Sequence, residues 1–273
     1  MKLYDLLPMV CEAAIKAGEA TLSYYGKEID VDYKSDNSPL TQADLASNKV
    51  IMSYLSKTEI PILSEEITNA SFDERKDWEY LWIVDPLDGT KEFVKKRNEY
   101  TINIALVHKN KPVLGVIYVP VLDILYFGFE QKAYKLDTAS LYSENFETLK
   151  EKSARLPVSK NMNKLVVVAS QSHRNADTDL FISKIETKHS YVEIQSYGSS
   201  LKLCMIAEGT ADIYPRIAPT MEWDTAAGNA IALAAGCKVV QYPSLENVVY
   251  NKENLLNPWF IVFREGLEEY ITN

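Results

Sequence analysis

Histidine and cysteine are scarce in this chain, with three of each among 273 residues. Cys11, Cys204 and Cys237 lie far apart without zinc-ligand spacing, so they read as reduced core residues of a cytoplasmic protein. Few histidines and no Gly-x-Ser-x-Gly elbow argue against serine or cysteine hydrolase chemistry. Positive charge is also short: 29 Lys and Arg stand against 38 Asp and Glu, a formal net charge of −9. No basic stripe exists to track a phosphodiester backbone, which argues against nucleic acid as a partner. No apolar run approaches membrane-spanning length. The N-terminal segment is broken by Asp5, Glu12, Lys16 and Glu19, with Leu3, Leu6, Leu7, Val10, Ala14 and Ala17 on one face. That pattern predicts an amphipathic helix and not a signal peptide.

What the chain has instead is acid at the ends of apolar segments. Tyr80-Leu81-Trp82-Ile83-Val84 reads as a buried strand ending at Asp85, since four of its residues are aromatic or β-branched. Pro86 and Gly89 then predict a turn through Asp85-Pro86-Leu87-Asp88-Gly89-Thr90. Two carboxylates, a backbone carbonyl and a hydroxyl at a strand end are the hard oxygen ligands that Mg²⁺ takes; an ordinary strand-to-turn Asp-Gly uses some of the same residues. Upstream, Pro61-Ile62-Leu63-Ser64 runs into Glu65 and Glu66, a pair equally at home in a solvated loop. Strands ending in Glu65 and Asp85 can lie side by side and aim both carboxylates at one point. Asp224 opens a helix expected over Thr225–Ala235 and closed by Gly236; aspartate there is also a favoured N-cap. Thr41-x-x-Asp44 resembles a capping box at the start of a helix over Thr41–Leu55. Gly198-Ser199-Ser200 opens a further helix, and free N–H groups there make an anion site that Lys202 can reach. Arg216 leaves a short strand and suits bidentate phosphate contact, while His173 follows a buried strand.

The organisation changes near residue 155, giving expected halves 1–155 and 156–273. The first is α+β: helices over Lys2–Tyr25 and Thr41–Leu55, then strands over Tyr100–Val107, Val113–Val119, Ile124–Phe129 and Ala133–Lys135 as antiparallel neighbours. The second alternates strands and helices: Leu165–Ala169 before Ala176–Ile185, Tyr191–Ile194 before Ser199–Ala207, and Ile213–Tyr214 before the Thr225 helix. Asp137–Pro157 reads as an irregular surface connection. Repeats and low-complexity tracts are absent.

Three motifs taken together carry a resemblance. Leu63-Ser64-Glu65-Glu66, Trp82-Ile83-Val84-Asp85-Pro86-Leu87-Asp88-Gly89-Thr90 and Glu222-Trp223-Asp224-Thr225-Ala226-Ala227-Gly228 resemble the inositol monophosphatase superfamily of Mg²⁺-dependent, lithium-sensitive phosphomonoesterases. Lys91-Glu92-Phe93 and Pro219-Thr220-Met221-Glu222 are similar to the CysQ-type 3'(2'),5'-bisphosphate nucleotidases within it. Inositol phosphatases place a sugar-binding Glu seven residues before the last Asp, where this chain has Ile217.

The resemblance implies an α/β protein, an α-β-α-β-α layered sandwich, that converts adenosine 3',5'-bisphosphate to AMP and phosphate. 3'-Phosphoadenosine 5'-phosphosulfate is a further candidate substrate. It implies Glu65, Asp85, the Leu87 carbonyl, Asp88 and Asp224 as ligands for two or three Mg²⁺ ions, with Li⁺ inhibitory. Bound cations also reconcile the acidic chain with a phosphorylated substrate. Asp44, Thr90 and Glu65 take the catalytic role, the first two orienting the attacking water. Substrate contacts fall to Glu65, Leu87, Asp88, Gly89, Thr90, His173, Ser199, Lys202, Arg216 and Asp224. The expected partner is thus a small molecule, with no nucleic acid and no membrane span; monomer and homodimer both stay open. An inositol or sugar phosphatase of the same fold is the alternative, ahead of a non-catalytic regulator, which has no use for a repelling carboxylate set.

Overall fold

The structure is a computed structural model that describes residues 3–27, 31–33, 39–142, 145–158, 164–171 and 174–272. The chain opens with α1 (Leu3–Leu22), the ribbon strands β1 (Val31–Tyr33) and β2 (Pro39–Thr41), and α2 (Gln42–Leu55). β3 (Ile62–Ser64), α3 (Phe72–Arg75), β4 (Tyr80–Asp88) and α4 (Thr90–Val94) follow. Next come β5 (Thr101–His108), β6 (Lys111–Val119), β7 (Ile124–Phe129), β8 (Lys132–Asp137), α5 (Phe146–Lys152) and β9 (Ala154–Arg155). The remainder is β10 (Leu165–Ser170), α6 (Ala176–Lys188), β11 (Val192–Tyr197), α7 (Leu201–Glu208), β12 (Ile213–Arg216), α8 (Glu222–Ala234), β13 (Cys237–Gln241) and β14 (Phe260–Arg264).

β3 to β9 form a seven-stranded sheet in chain order; β3 runs parallel to β4 and every later pair is antiparallel. The second sheet has the order β11-β10-β12-β14-β13, parallel across its first three strands and antiparallel beyond. Side-chain alternation assigns the faces. Trp82, Val84, Ile102 and Ile104 turn to α1 and α2, and Leu81, Ile83, Ala105 and Val107 turn to α7 and α8. Val166, Val168 and Val262 of the second sheet cover the other side of α7 and α8. The outer face of that sheet, with Val167, Ile213 and Ile261, packs on Phe181, Ile182 and Ile185 of α6. The layers are therefore α-β-α-β-α, as expected. All three cysteines are buried free thiols.

Several element bounds differ from the sequence reading. β4 does not stop at Asp85 but continues to Asp88 through a register shift against β5. Pro86 is tolerated there because a bulge needs no ladder N–H from it. α8 starts at Glu222 with Met221 as its N-cap, so Asp224 is the third helical residue and not the opener. The described part of Asp137–Pro157 is not wholly irregular, since it holds α5, with Leu149 buried, and β9. α1 ends at Leu22, three residues short of Tyr25. β13 and β14 add an antiparallel pair to a half read as simple alternation.

At two glycines of the first sheet α8 approaches the strand backbone directly. A Cβ on Gly115 would sit 2.2 Å from the Ala227 carbonyl oxygen, and one on Gly128 would sit 2.8 Å from the Ile231 Cα. Gly115→Ala must push helix from sheet, and overpacking of that kind costs about 1–3 kcal/mol or more. Denaturant unfolding of Gly115→Ala is expected to show this loss; wild-type stability would mean the contact yields freely.

Candidate active site

The parallel pairing of β3 with β4 brings two acids together. Ser64 pairs with Val84, and the Glu65 N–H donates to the Val84 carbonyl at 3.2 Å, so Glu65 emerges beside Asp85. Asp85 is 1 % exposed and its Oδ1 accepts the Leu87 N–H at 3.0 Å. From the other side α8 delivers Asp224, whose Oδ2 accepts the Met221 N–H at 2.9 Å. Carboxylate oxygens of Glu65, Asp85 and Asp224 all lie within 4.8 Å of one another. Asp88 sits past the bulge, its Oδ2 held by the Ser200 N–H, with Thr101 Oγ1 and Asn103 Nδ2 each at 3.5 Å.

These charges oppose one another. Burial, then Glu65, Asp88 and Asp224, drive the Asp85 pKa well above the carboxylate range. Burial pushes Asp88 up to about 6 against the pull of Lys202, and burial followed by the charge of Asp88 pushes Asp224 up to about 8. Three carboxylates from separate elements, converging with so little compensating charge, fit a hard divalent cation held by oxygen.

Asp44 serves two partners. Its Oδ2 accepts the Thr41 N–H at 2.8 Å and the Thr41 hydroxyl at 2.6 Å, closing the capping box of α2. Its Oδ1 accepts the Thr90 hydroxyl at 3.3 Å, and burial raises its pKa. Gly89 caps α4 with left-handed backbone (φ 94°), which turns Thr90 back toward Asp44. Leu87 is buried with Phe93 and Tyr100, and its carbonyl lies 3.5 Å from the Thr90 hydroxyl.

The start of α7 is occupied differently from expectation. Ser200, not Ser199, is the N-cap, and the anion at its N–H is the carboxylate of Asp88. The Gly198 N–H donates to Glu99 Oε2 at 2.7 Å, and the Ser199 hydroxyl donates to the Glu99 carbonyl. Ser199 lines the cavity but its hydroxyl is committed to the protein. Lys202 is 3 % exposed; its ammonium donates to the carbonyls of Tyr197 (3.1 Å) and Ser199 (2.5 Å), and burial lowers its pKa to about 8. Arg216 donates to the Pro219 carbonyl at 2.8 Å, while its buried Nε has no hydrogen-bond partner among the described residues. Asp88, Thr90, Ser199, Lys202, Arg216 and Asp224 line one cavity. His173 lies outside the described residues. Ile217 packs into the outer core with Phe181 and Ile182, away from the cavity. Sequence reasoning missed Thr101, Asn103 and Ser200, which fix Asp88; two polar residues alternating in the apolar β5 were the available signal.

The chain matches the inositol monophosphatase family over residues 3–261 and belongs to it. Among its relatives is the 3'(2'),5'-bisphosphate nucleotidase CysQ of Escherichia coli K12, 41 % identical over 94 % of this chain and 99 % of that one. The nucleotidase CysQ of Haemophilus influenzae is 33 % identical, covering 94 % and 92 % of the two chains. The crystal structure of CysQ from Bacteroides thetaiotaomicron superposes with a TM-score of 0.87 at 49 % identity, over 94 % of this chain and 96 % of that one. SuhB from Bartonella henselae shares the fold, with a TM-score of 0.76 at 24 % identity over 98 % and 96 %.

The raised pKa values carry a sign. In the folded chain Asp88 and Asp224 hold protons up to about 6 and 8, against about 3.9 for an unfolded aspartate. These two groups bind more protons in the folded state across that window, so their contribution to metal-free stability falls as pH rises from about 4 to about 8. In chelator, Asp224→Asn is expected to melt above wild type at pH 8, with the advantage shrinking by pH 5. An advantage that grows toward pH 5 would refute the assignment.

Proposed function

We propose that this protein is a Mg²⁺-dependent 3'(2'),5'-bisphosphate nucleotidase hydrolysing adenosine 3',5'-bisphosphate to AMP and phosphate. The observation that carries the reading is near full-length similarity to CysQ nucleotidases, joined to a convergent set of Glu65, Asp85 and Asp224. Ile217, buried in the outer core, leaves no carboxylate at that position for a polyol and supports the nucleotide over an inositol phosphate.

In this reading Glu65, Asp85, Asp88, Asp224 and the Leu87 carbonyl hold two or three Mg²⁺ ions, with Li⁺ competing for one position. Such cations lower the pKa of bound water and offset the charge of the phosphate and leaving oxygen. The protein does the positioning. The Thr90 hydroxyl, donating to Asp44, keeps its lone pairs for the attacking water and orients it in line with phosphorus. Asp44, with a raised pKa, is suited to take the proton relayed through Thr90. Lys202 and Arg216 supply buried positive charge on the far wall of the cavity for the remaining phosphate.

The test is Mg²⁺-dependent phosphate release from adenosine 3',5'-bisphosphate, with inositol 1-phosphate alongside. Wild type is expected to prefer the nucleotide. Asp88→Asn is expected to lose at least about 100-fold, the upper end of what losing a mere supporting partner of a metal ligand costs. Unchanged release in that variant would overturn the site; preference for the inositol phosphate would overturn only the substrate.

A further inference from the structure

The last helix of the metal site does not stand alone at its N-terminus. Residues 250–257, between β13 and β14, wrap residues 220–225 in a polar collar. Glu222 is 0 % exposed, an expensive place for a carboxylate without partners. Its Oε2 accepts the Asn251 N–H at 2.6 Å, and its Oε1 accepts the Lys252 N–H at 3.0 Å and the Lys252 ammonium at 2.5 Å. The Glu222 N–H in turn donates to the Leu255 carbonyl at 3.0 Å. The Asn257 amide donates to the Met221 carbonyl at 2.7 Å and to Thr225 Oγ1 at 2.9 Å, and its N–H reaches the Thr220 carbonyl at 2.8 Å. Tyr250 donates to Thr225 Oγ1 at 3.2 Å.

The collar also grips the other flank of the site. The Asn251 side chain donates to the Arg75 carbonyl at 2.7 Å and accepts from Arg75 Nη1 at 2.8 Å, while Arg75 Nη2 reaches the Glu253 carbonyl at 3.0 Å. Arg75 closes α3, at the end of the segment that begins with Glu65. One loop thus bonds both to α3, which follows Glu65 in the chain, and to the residues that open α8 and deliver Asp224.

We propose that Glu222 is a positioning residue for the metal centre, acting through residues 250–257 to set the separation of Glu65 and Asp224. Glu222 touches neither acid. Its carboxylate holds residues 251 and 252, and Asn257 of the same loop donates to the carbonyl of Met221, whose N–H holds the Asp224 carboxylate. The inference rests on the metal-centre reading above and adds a residue to it. A carboxylate is required because three donors converge on it; a glutamine turns one of its two oxygens into a donor facing another donor.

The test is calorimetric titration of the metal-free protein with MgCl₂, alongside thermal melts in chelator. Glu222→Gln is expected to weaken Mg²⁺ binding about ten-fold, the order seen when supporting partners of metal ligands are lost. The KM for Mg²⁺ rises with it, and kcat recovers at saturating Mg²⁺. Unchanged Mg²⁺ affinity with a lowered melting temperature would make the collar merely structural and overturn the proposal. Should Glu222→Gln not fold, Lys252→Ala removes one of the three donors from a partly exposed position and carries the same test, with weakened binding supporting and unaltered binding overturning. Wild type that takes up no Mg²⁺ would instead defeat the metal-centre reading itself.

Discussion

Repulsion among crowded, partly buried carboxylates is the constraint around which this molecule is built. Glu65, Asp85 and Asp224 arrive from β3, β4 and α8, and Asp88 follows past the bulge, so no local segment holds the charge together. Only the packed layers keep these acids close, and three of them are pinned by backbone N–H groups, Asp85 and Asp224 within their own segments and Asp88 from the start of α7. Asp85 takes the Leu87 N–H, Asp224 takes the Met221 N–H and Asp88 takes the Ser200 N–H. Such bonds favour the ionised form and oppose burial. The balance still leaves Asp85 and Asp224 far above the carboxylate range, a cost suited to offset by cations.

Positive charge is distributed with the same economy. The start of α7 has the donors of an anion site, yet the protein's own carboxylates use them. The Ser200 N–H serves Asp88 and the Gly198 N–H serves Glu99. Lys202 and Arg216 are anchored by carbonyls on the same wall, with Lys202 Nζ 5.5 Å above the Tyr214 ring. The wall facing the acids is therefore rigid and cationic before any phosphate arrives, so little ordering cost falls on binding.

Much of this was legible in the sequence, and the reasons are local. Tyr80–Val84 announces a buried strand by its side chains, and the short run before Glu65 announces its neighbour, so their juxtaposition followed from two apolar segments ending in acid. The Thr41 box and Gly236 mark helix ends correctly because capping chemistry acts within four residues. What escaped depends on distant partners. Pro86 reads as a strand end until the β5 register accommodates a bulge there. The burial of Glu222 depends on Asn251 and Lys252, which enclose it from a distant loop. β13 and β14 pair across a polar loop that carries no alternation of its own. The helix start at Ser199 reads as an anion site offering free N–H groups, whereas Asp88 and Glu99, about a hundred residues away, take the N–H groups of Ser200 and Gly198.

Gly115 and Gly128 would have a consequence for which ions the proposed metal site tolerates. Through them α8 rests backbone-on-backbone against the sheet that carries Asp85. A contact between long side chains can re-rotamer to let a helix slide; at these two points there is nothing to rotate. Ca²⁺ binds oxygen at about 2.3–2.6 Å, against about 2.0–2.1 Å for Mg²⁺. With Asp85 and Asp224 each tethered to a neighbouring N–H, the wider shell has to be made by parting a helix from a sheet. In the proposed metal reading, two missing methyl groups under α8 would thus act as a gauge of ionic radius.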